Sequence, residues 1–258
     1  MKNSKTNVEA RQQDILKLVR EKGEVHSDTI AGRFQISIMT VRRDLKELEQ
    51  RHLLRRTHGG AISLDRARSN RSIREDIQES RDVISKYAAG LIQDGDSIFI
   101  NGSKTALKML DYLDEKTVTV YTNNGLAITK RYPANVTIKM TGGELRNHIM
   151  VGDFTMRNLL EVSADRTFIG CEAVYDDGEF QYNIPNEIGI NEAMISRTKH
   201  ELYILADHSK LQRRENRENS YGSCSYDRQV TLITDSKSDP AIIEKLRSYG
   251  MEIIIVPM

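Results

Sequence analysis

Ser37-Ile38-Met39-Thr40-Val41-Arg42-Arg43-Asp44-Leu45-Lys46-Glu47-Leu48-Glu49-Gln50 and, after Arg51-His52, Leu53-Leu54-Arg55-Arg56-Thr57-His58-Gly59-Gly60-Ala61 decide how this chain is read. Ser37 is placed to cap a helix running to about Gln50. Val41, Leu45 and Leu48 recur at i, i+4 and i+7, so one face is apolar and faces a core. The opposite face carries Thr40, Arg43 and Lys46, flanked by Arg42. The second run places basic residues ahead of a Gly-Gly pair, which permits a tight bend, and reads as a β-hairpin.

Upstream, Ala10 to Arg20 sets Ile15, Leu16 and Val19 on one face of a first helix, which Gly23 ends. Ser27 can cap a short second helix, Asp28 to Phe34, that buries Ile30, Ala31 and Phe34. Gln35-Ile36 makes the turn into the third. Three helices with these lengths, followed by a basic hairpin, form a winged helix-turn-helix over residues 1–62. A cationic helix face alone is usually just a solvated surface. The cap, the short preceding helix and the basic wing together point instead to double-stranded DNA. Thr40 and Arg43 are candidates for base contact. Arg42, Lys46, Arg55 and Arg56 are placed to hold phosphates, with Ser37 at the cap and Thr57 and Gly59 in the wing. His58 either touches phosphate or packs against the wing.

Charge is distributed in the same sense. Residues 1–62 hold 13 Lys and Arg against 8 Asp and Glu, whereas the remainder holds 25 against 29, within a net charge of +1. A basic head on a mildly acidic body fits phosphate binding at one end. Residues 63–80 are polar, of mixed charge and short of apolar anchors, which reads as a linker leading into a helix. The 258-residue chain has room for such a head and a second, larger domain. No apolar run approaches the roughly 18 residues of a membrane span, and the N-terminus has no signal-peptide core, so a cytoplasmic protein with no membrane partner is expected. Cys171 and Cys224 have no metal-ligand spacing and are expected as reduced thiols; no metal or cofactor is expected.

From residue 81 onward, short apolar runs alternate with helical patterns. The runs are 97–100, 117–121, 136–140, 167–169, 202–205, 230–233 and 252–256; helical segments fit at Ala106–Leu113, Leu126–Arg131, Glu187–Thr198 and Pro240–Tyr249. Nearly continuous apolar strands are covered on both faces, so residues 81–258 read as a mostly parallel α/β domain. Loops at the carboxyl ends of such strands gather at one rim. Asn101-Gly102-Ser103-Lys104-Thr105, Thr122-Asn123-Asn124 and Gly142-Gly143-Glu144 can therefore line one polar pocket. The first is a small-residue turn before a helix, suited to a phosphate, or a generic turn. Gly142-Gly143 is either a ligand loop or only a backbone turn, and Glu144 either meets a ligand or orients a neighbour. Residues 212–226 read as an exposed loop or a flap beside the pocket.

The motifs Thr40-Val41-Arg42-Arg43-Asp44-Leu45 and Arg56-Thr57-His58-Gly59-Gly60-Ala61 closely resemble those of DeoR/GlpR-type bacterial repressors. The resemblance continues through Gly95-Asp96, Thr122-Asn123-Asn124, Gly142-Gly143-Glu144-Leu145, Val151-Gly152, Leu205-Ala206-Asp207-His208-Ser209-Lys210 and Leu232-Ile233-Thr234-Asp235. It implies a C-terminal sensor domain similar to ribose-5-phosphate isomerase, a phosphorylated sugar or related acidic metabolite as effector, a homo-oligomer (dimer or tetramer), and repression of a sugar-catabolic operon. It also adds Glu172, Glu187, Asp207 and a phosphate-facing Lys210 to the pocket. The chain departs from the family pattern in two places. The phosphate turn begins with Asn101 where an Asp is usual and gains Lys104, and Glu187 is followed four residues later by Asn191 instead of Lys. A sugar-phosphate isomerase is the alternative reading, with Glu172 or Glu187 as base. Asn101 and Asn191 in place of charged groups, and a DNA-binding head that an isomerase has no use for, weigh against it.

Overall fold

The computed structural model describes residues 2–182, 186–214 and 222–258. The chain divides into two compact units, Met1–Asp76 and Ile77–Met258.

The first unit contains α1 (Lys2–Lys22), β1 (Glu24–His26), α2 (Ser27–Phe34), α3 (Ile38–Gln50), β2 (Arg55–Arg56) and β3 (Gly60–Ile62). Its core is Ile15, Leu16, Leu18 and Val19 from α1, Ile30 from α2, and Val41, Leu45 and Leu48 from α3, closed by Val25, Leu54 and Ala61. The apolar stripes of the three helices thus converge as their spacing requires. Ser37 is the cap of α3, accepting a hydrogen bond from Thr40 N at 3.2 Å. The strands form an antiparallel sheet in the order β1–β3–β2. The Gly-Gly pair serves a different purpose from the expected bend, since neither residue has positive φ. A Cβ on Gly60 would lie 2.0 Å from the Val25 carbonyl oxygen, so glycine is required by the close approach of β1.

The segment expected as a linker is helical. α4 runs from Leu64 to Gly90, and the division between the two units falls inside it. Ser63 starts the helix by accepting from Arg66 N through Oγ and from Ala67 N through its carbonyl. No Gly or Pro interrupts residues 64–89. Few anchors are needed because helix propagates cheaply once nucleated, and its last turns are fixed by buried Ile84, Ala88 and Ala89.

The second unit is built on β4 (Ser97–Ile100), α5 (Lys104–Lys108), β5 (Val118–Thr122), β6 (Val136–Met140), the hairpin β7 (Glu144–Arg146) and β8 (Ile149–Val151), and α6 (Asp153–Leu160). There follow β9 (Arg166–Gly170), β10 (Ala173–Tyr175), β11 (Phe180–Gln181), α7 (Asn186–Ser196), β12 (Leu202–Leu205), β13 (Leu211–Gln212), β14 (Ser223–Cys224), β15 (Thr231–Asp235), α8 (Pro240–Ser248) and β16 (Glu252–Val256). Seven strands form one sheet in the order β16–β15–β12–β9–β4–β5–β6, every pair parallel. Alternate residues supply its two faces. Ile98, Ile100, Phe168 and Leu205 pack on one side, whereas Phe99 and, further along, Ile169 and Ile204 pack on the other.

Two expected helices are shorter than their apolar spacing indicates. Ala106–Leu113 becomes α5 followed by a 3-10 turn, Met109–Tyr112, and Leu126–Arg131 becomes a 3-10 turn, Gly125–Thr129. Six residues ahead of Pro133 give too little length for a stable α-helix. The small sheet β13–β10–β11–β14 and the hairpin β7–β8 were not legible as strands. Of the segment 212–226, residues 215–221 lie outside the described residues; its two ends pair as β13 and β14.

Candidate functional site

On the first unit, the outer face of α3 presents Arg42, Arg43 and Lys46 to solvent, and the wing presents Arg55, Arg56, His58 and Gly59. Thr40 and Thr57 are half-buried. The Thr40 hydroxyl lies 2.9 Å from Ser37 Oγ, so both hydroxyls are engaged in the cap. Asp44, fully buried, braces α3 against α1. Arg11 donates to it through Nε at 2.7 Å and Nη2 at 3.0 Å, and Gln12 Nε2 at 3.3 Å. The Arg11 guanidinium is held more firmly protonated by that carboxylate. The wing is tied to the same helix, since Arg56 N donates to Glu49 Oε1 at 2.8 Å. Gly59 adds a third brace through its carbonyl, which accepts from Ser27 N at the start of α2. The cationic surface is therefore carried on a helix fixed at both its buried and its wing side.

On the second unit, the sheet has one reversal of strand order. The chain runs outward from β4 through β5 and β6, then returns to place β9 on the other side of β4. Crevices form at the carboxyl ends of strands at such a point. A cleft of about 510 Å³ opens there. Nine of the residues expected at the site line it: Asn101, Gly102, Ser103, Lys104 and Thr105 after β4, Glu172 after β9, Glu187 on α7, and Asp207 and Lys210 after β12. Arg81, Asn147, Ile149, Gly170, Cys171, Tyr182 and Leu205 complete it.

The ionic groups are matched in sign. Arg81 Nε lies 3.0 Å from Asp207 Oδ2, and Lys210 Nζ 3.0 Å from Glu172 Oε2. Lys104 is exposed and has no ion-pair partner among the described residues. Burial, helped by the charge of Glu172, pushes the Glu187 carboxyl up to about 7. Burial pushes the Cys171 thiol up to about 12, so it stays protonated.

Several polar groups at the rim are already spent within the protein. Asn101 Nδ2 donates to the Gly170 carbonyl at 2.9 Å and to Asn191 Oδ1 at 3.2 Å. Its Oδ1 accepts from Gly170 N at 3.0 Å and Ser103 N at 3.2 Å. Asn101 therefore staples β4 to β9, and Asn191, buried behind it, does not line the cleft. Ser103 Oγ caps α5 by accepting from Ala106 N. Asp207 caps the following 3-10 turn through Ser209 N while holding Arg81.

The structure does not bring Thr122, Asn123, Asn124, Gly142, Gly143 or Glu144 into the cleft. The first three are buried braces. Thr122 Oγ1 accepts from Asn124 N, Asn123 exchanges hydrogen bonds with Met150, and Asn124 Nδ2 donates to the Ser103 carbonyl. Gly142 and Gly143 turn at positive φ beneath α6, where a Cβ on Gly143 would lie 2.3 Å from Thr155 Oγ1. Glu144 is exposed and pairs with Arg146. The third loop reaches the site one hairpin later. Asn147 and His148 both have positive φ, the signature of a two-residue hairpin turn. That turn lays Ile149 over Gly102, where a Cβ would be 2.7 Å away.

The head and the α/β unit each match a known family. Residues 11–67 match the DeoR-like helix-turn-helix domain, and residues 77–236 match the DeoR C terminal sensor domain. The chain belongs to the DeoR family. This DeoR-family regulator is 31% identical to the uncharacterized HTH-type transcriptional regulator YulB of Bacillus subtilis over 97% of this chain and 98% of that one. It is 28% identical to the lactose phosphotransferase system repressor of Staphylococcus epidermidis over 93% and 96% of the two chains. Among solved structures it is similar to ribose 5-phosphate isomerase A of Methanocaldococcus jannaschii, with 16% identity, a TM-score of 0.41, and coverage of 55% and 57%. The family thus makes the protein a DNA-binding transcriptional regulator with a sensor domain. No helix among the described residues is long and apolar enough to cross a membrane.

Proposed function

We propose that this regulator represses a sugar-catabolic operon, and that a phosphorylated sugar or related acidic metabolite bound in the cleft relieves repression. The observation that carries the reading is the ionic lining. Arg81, Lys104 and Lys210 face Glu172, Glu187 and Asp207. Such a balance suits a ligand with one anionic group and several hydroxyls: the anion takes cations from their carboxylates, and the carboxylates accept from hydroxyls. The relatives named as lactose phosphotransferase system repressors support a sugar as the effector class.

Arg81 lies on α4, which starts at Leu64, directly after the wing strand β3. A ligand that displaces Asp207 from Arg81 acts on the helix that follows the DNA-binding fold in the chain. For relief of repression, the ligand must favour one of two conformations over the other. The cleft is read as a receptor, not a catalytic site. Asn101 bonds to Asn191 and to the Gly170 backbone, and neither amide supplies the titrating group that a proton transfer beside a carbonyl would use. The working form is a cytoplasmic homo-oligomer.

A thermal-shift screen tests the proposal. Phosphorylated sugars raise the melting temperature by mass action on the native state, unphosphorylated sugars do not, and Lys210→Ala abolishes the shift. A shift of equal size with unphosphorylated sugars, or one retained in Lys210→Ala, contradicts it. Turnover of an aldose phosphate to a ketose phosphate at enzyme-like rates would contradict the receptor reading.

A further inference from the structure

The first turn of α3 carries a side chain that neither the head's core nor a phosphate contact explains. Met39 is 72% exposed, among the most exposed large apolar residues described, and its neighbour Ile38 is 42% exposed. Val41, Leu45 and Leu48 fix the buried face of the helix. Met39, Arg42, Arg43 and Lys46 then fall at i, i+3, i+4 and i+7, which makes them one continuous outward stripe. All four are exposed. Thr40, by contrast, is half-buried with its hydroxyl held against Ser37 Oγ. The side chain at the N-terminal end of the outward stripe is therefore apolar, and three cations follow it within two turns.

We propose that Met39 determines sequence specificity by packing on the 5-methyl group of a thymine in the major groove, with Ile38 widening the apolar contact. The N-terminal residues of a recognition helix are those that meet base edges. Among the groups exposed on those edges, the thymine methyl is the apolar one; the rest are hydrogen-bond donors and acceptors. Methionine suits the contact, being unbranched and polarisable, and it adapts to a small methyl without a fixed geometry. Arg42 and Arg43, one turn further on, supply guanine or phosphate contacts beside it. The DNA is the occupant that continuity with the cationic stripe favours; a second copy of the chain on this patch is an outcome of the test.

The experiment uses the full-length protein. Its preferred duplex is selected from a randomised pool, and each thymine of a half-site is then replaced singly by deoxyuridine, which removes only the methyl. The expected result is one position at which deoxyuridine weakens wild-type binding by about fourfold, the value of one buried methyl group at about 0.8 kcal/mol. Met39→Ala should bind the thymine duplex more weakly and show no further loss with deoxyuridine at that position. Melting temperature and low-salt binding to random duplex confirm that Met39→Ala is folded. The proposal is overturned if no thymine methyl matters to the wild type, or if Met39→Ala keeps the full methyl dependence. A change of oligomeric state in Met39→Ala without loss of methyl dependence would assign the patch to a second copy instead.

Discussion

Arg81 Nε stands 3.0 Å from Asp207 Oδ2, joining α4 to the loop after β12 at the wall of the cleft. Asp207 is buried, and its other oxygen serves as the cap of the next turn, so the carboxylate has no easy alternative partner. Ser80 and His208 repeat the link one residue along each element, at 3.3 Å. The same contact is thus both a piece of the fold and the cation a ligand anion would compete for.

Arg81→Ala is expected to lower stability by about 1–3 kcal/mol, because it leaves a buried carboxylate without its cation while Arg81 itself is partly exposed. Urea denaturation measures this. The variant should also lose its effector response while still binding DNA.

Asp44→Ala is expected to cost about 2–4 kcal/mol and to weaken DNA binding with it. It removes three hydrogen bonds from α1 and leaves Arg11 without its carboxylate, while Gln12 keeps Glu47 Oε2 as an acceptor at 2.6 Å. Operator affinity and the melting temperature should fall together, whereas ligand-induced stabilisation of the sensor unit should persist.

Glu187 gives stability a pH dependence of known sign. Its folded-state pKa is raised to about 7 from the ordinary 4.5. The native state therefore holds more protons than the unfolded chain in that window, and this group's contribution falls as pH rises from about 4.5 to 7. Glu187→Gln should remove that fall, so its melting temperature relative to wild type should be higher at pH 8 than at pH 5. An equal difference at both values would show that the carboxyl titrates normally.

The double variant Lys104→Ala, Lys210→Ala is expected to bind operator like the wild type and to ignore the effector. Lys104 has no ionic partner to leave behind, and the loss of Lys210 is eased because its partner Glu172 is half-exposed. Parallel loss of both activities would mean that the pair maintains the fold instead.

The head was legible because its signals are local. Ser37 caps as expected, and the stripe Val41, Leu45, Leu48 is buried. Asp44 was not legible as a brace, since its partners Arg11 and Gln12 lie more than thirty residues away and no local spacing marks them. The parallel sheet followed from apolar runs alone, with boundaries within about two residues. Residues 63–80 read as a linker leading into a helix because they hold few apolar anchors, but the helix already starts at Leu64, since a capped run free of Gly and Pro needs few. At the cleft, the turn after β4 was legible from its place at a strand end, whereas the Asp207–Lys210 loop was found only through the family resemblance. Thr122, Asn123 and Asn124 share that place but are consumed in bracing the hairpin, and nothing in a polar tripeptide distinguishes the two uses. Asn147 was the available clue to the turn that does reach the cleft, since asparagine tolerates positive φ.

The most direct test of the central claim is fluorescence anisotropy on the selected operator duplex, with the full-length protein titrated in the presence of phosphorylated or unphosphorylated sugars. A phosphorylated sugar is expected to weaken operator binding by the wild type and its unphosphorylated counterpart to leave it unchanged, with Lys104→Ala, Lys210→Ala abolishing the effect without changing the affinity in its absence. An equal response to the unphosphorylated sugar, or a response undiminished in the double variant, would contradict it.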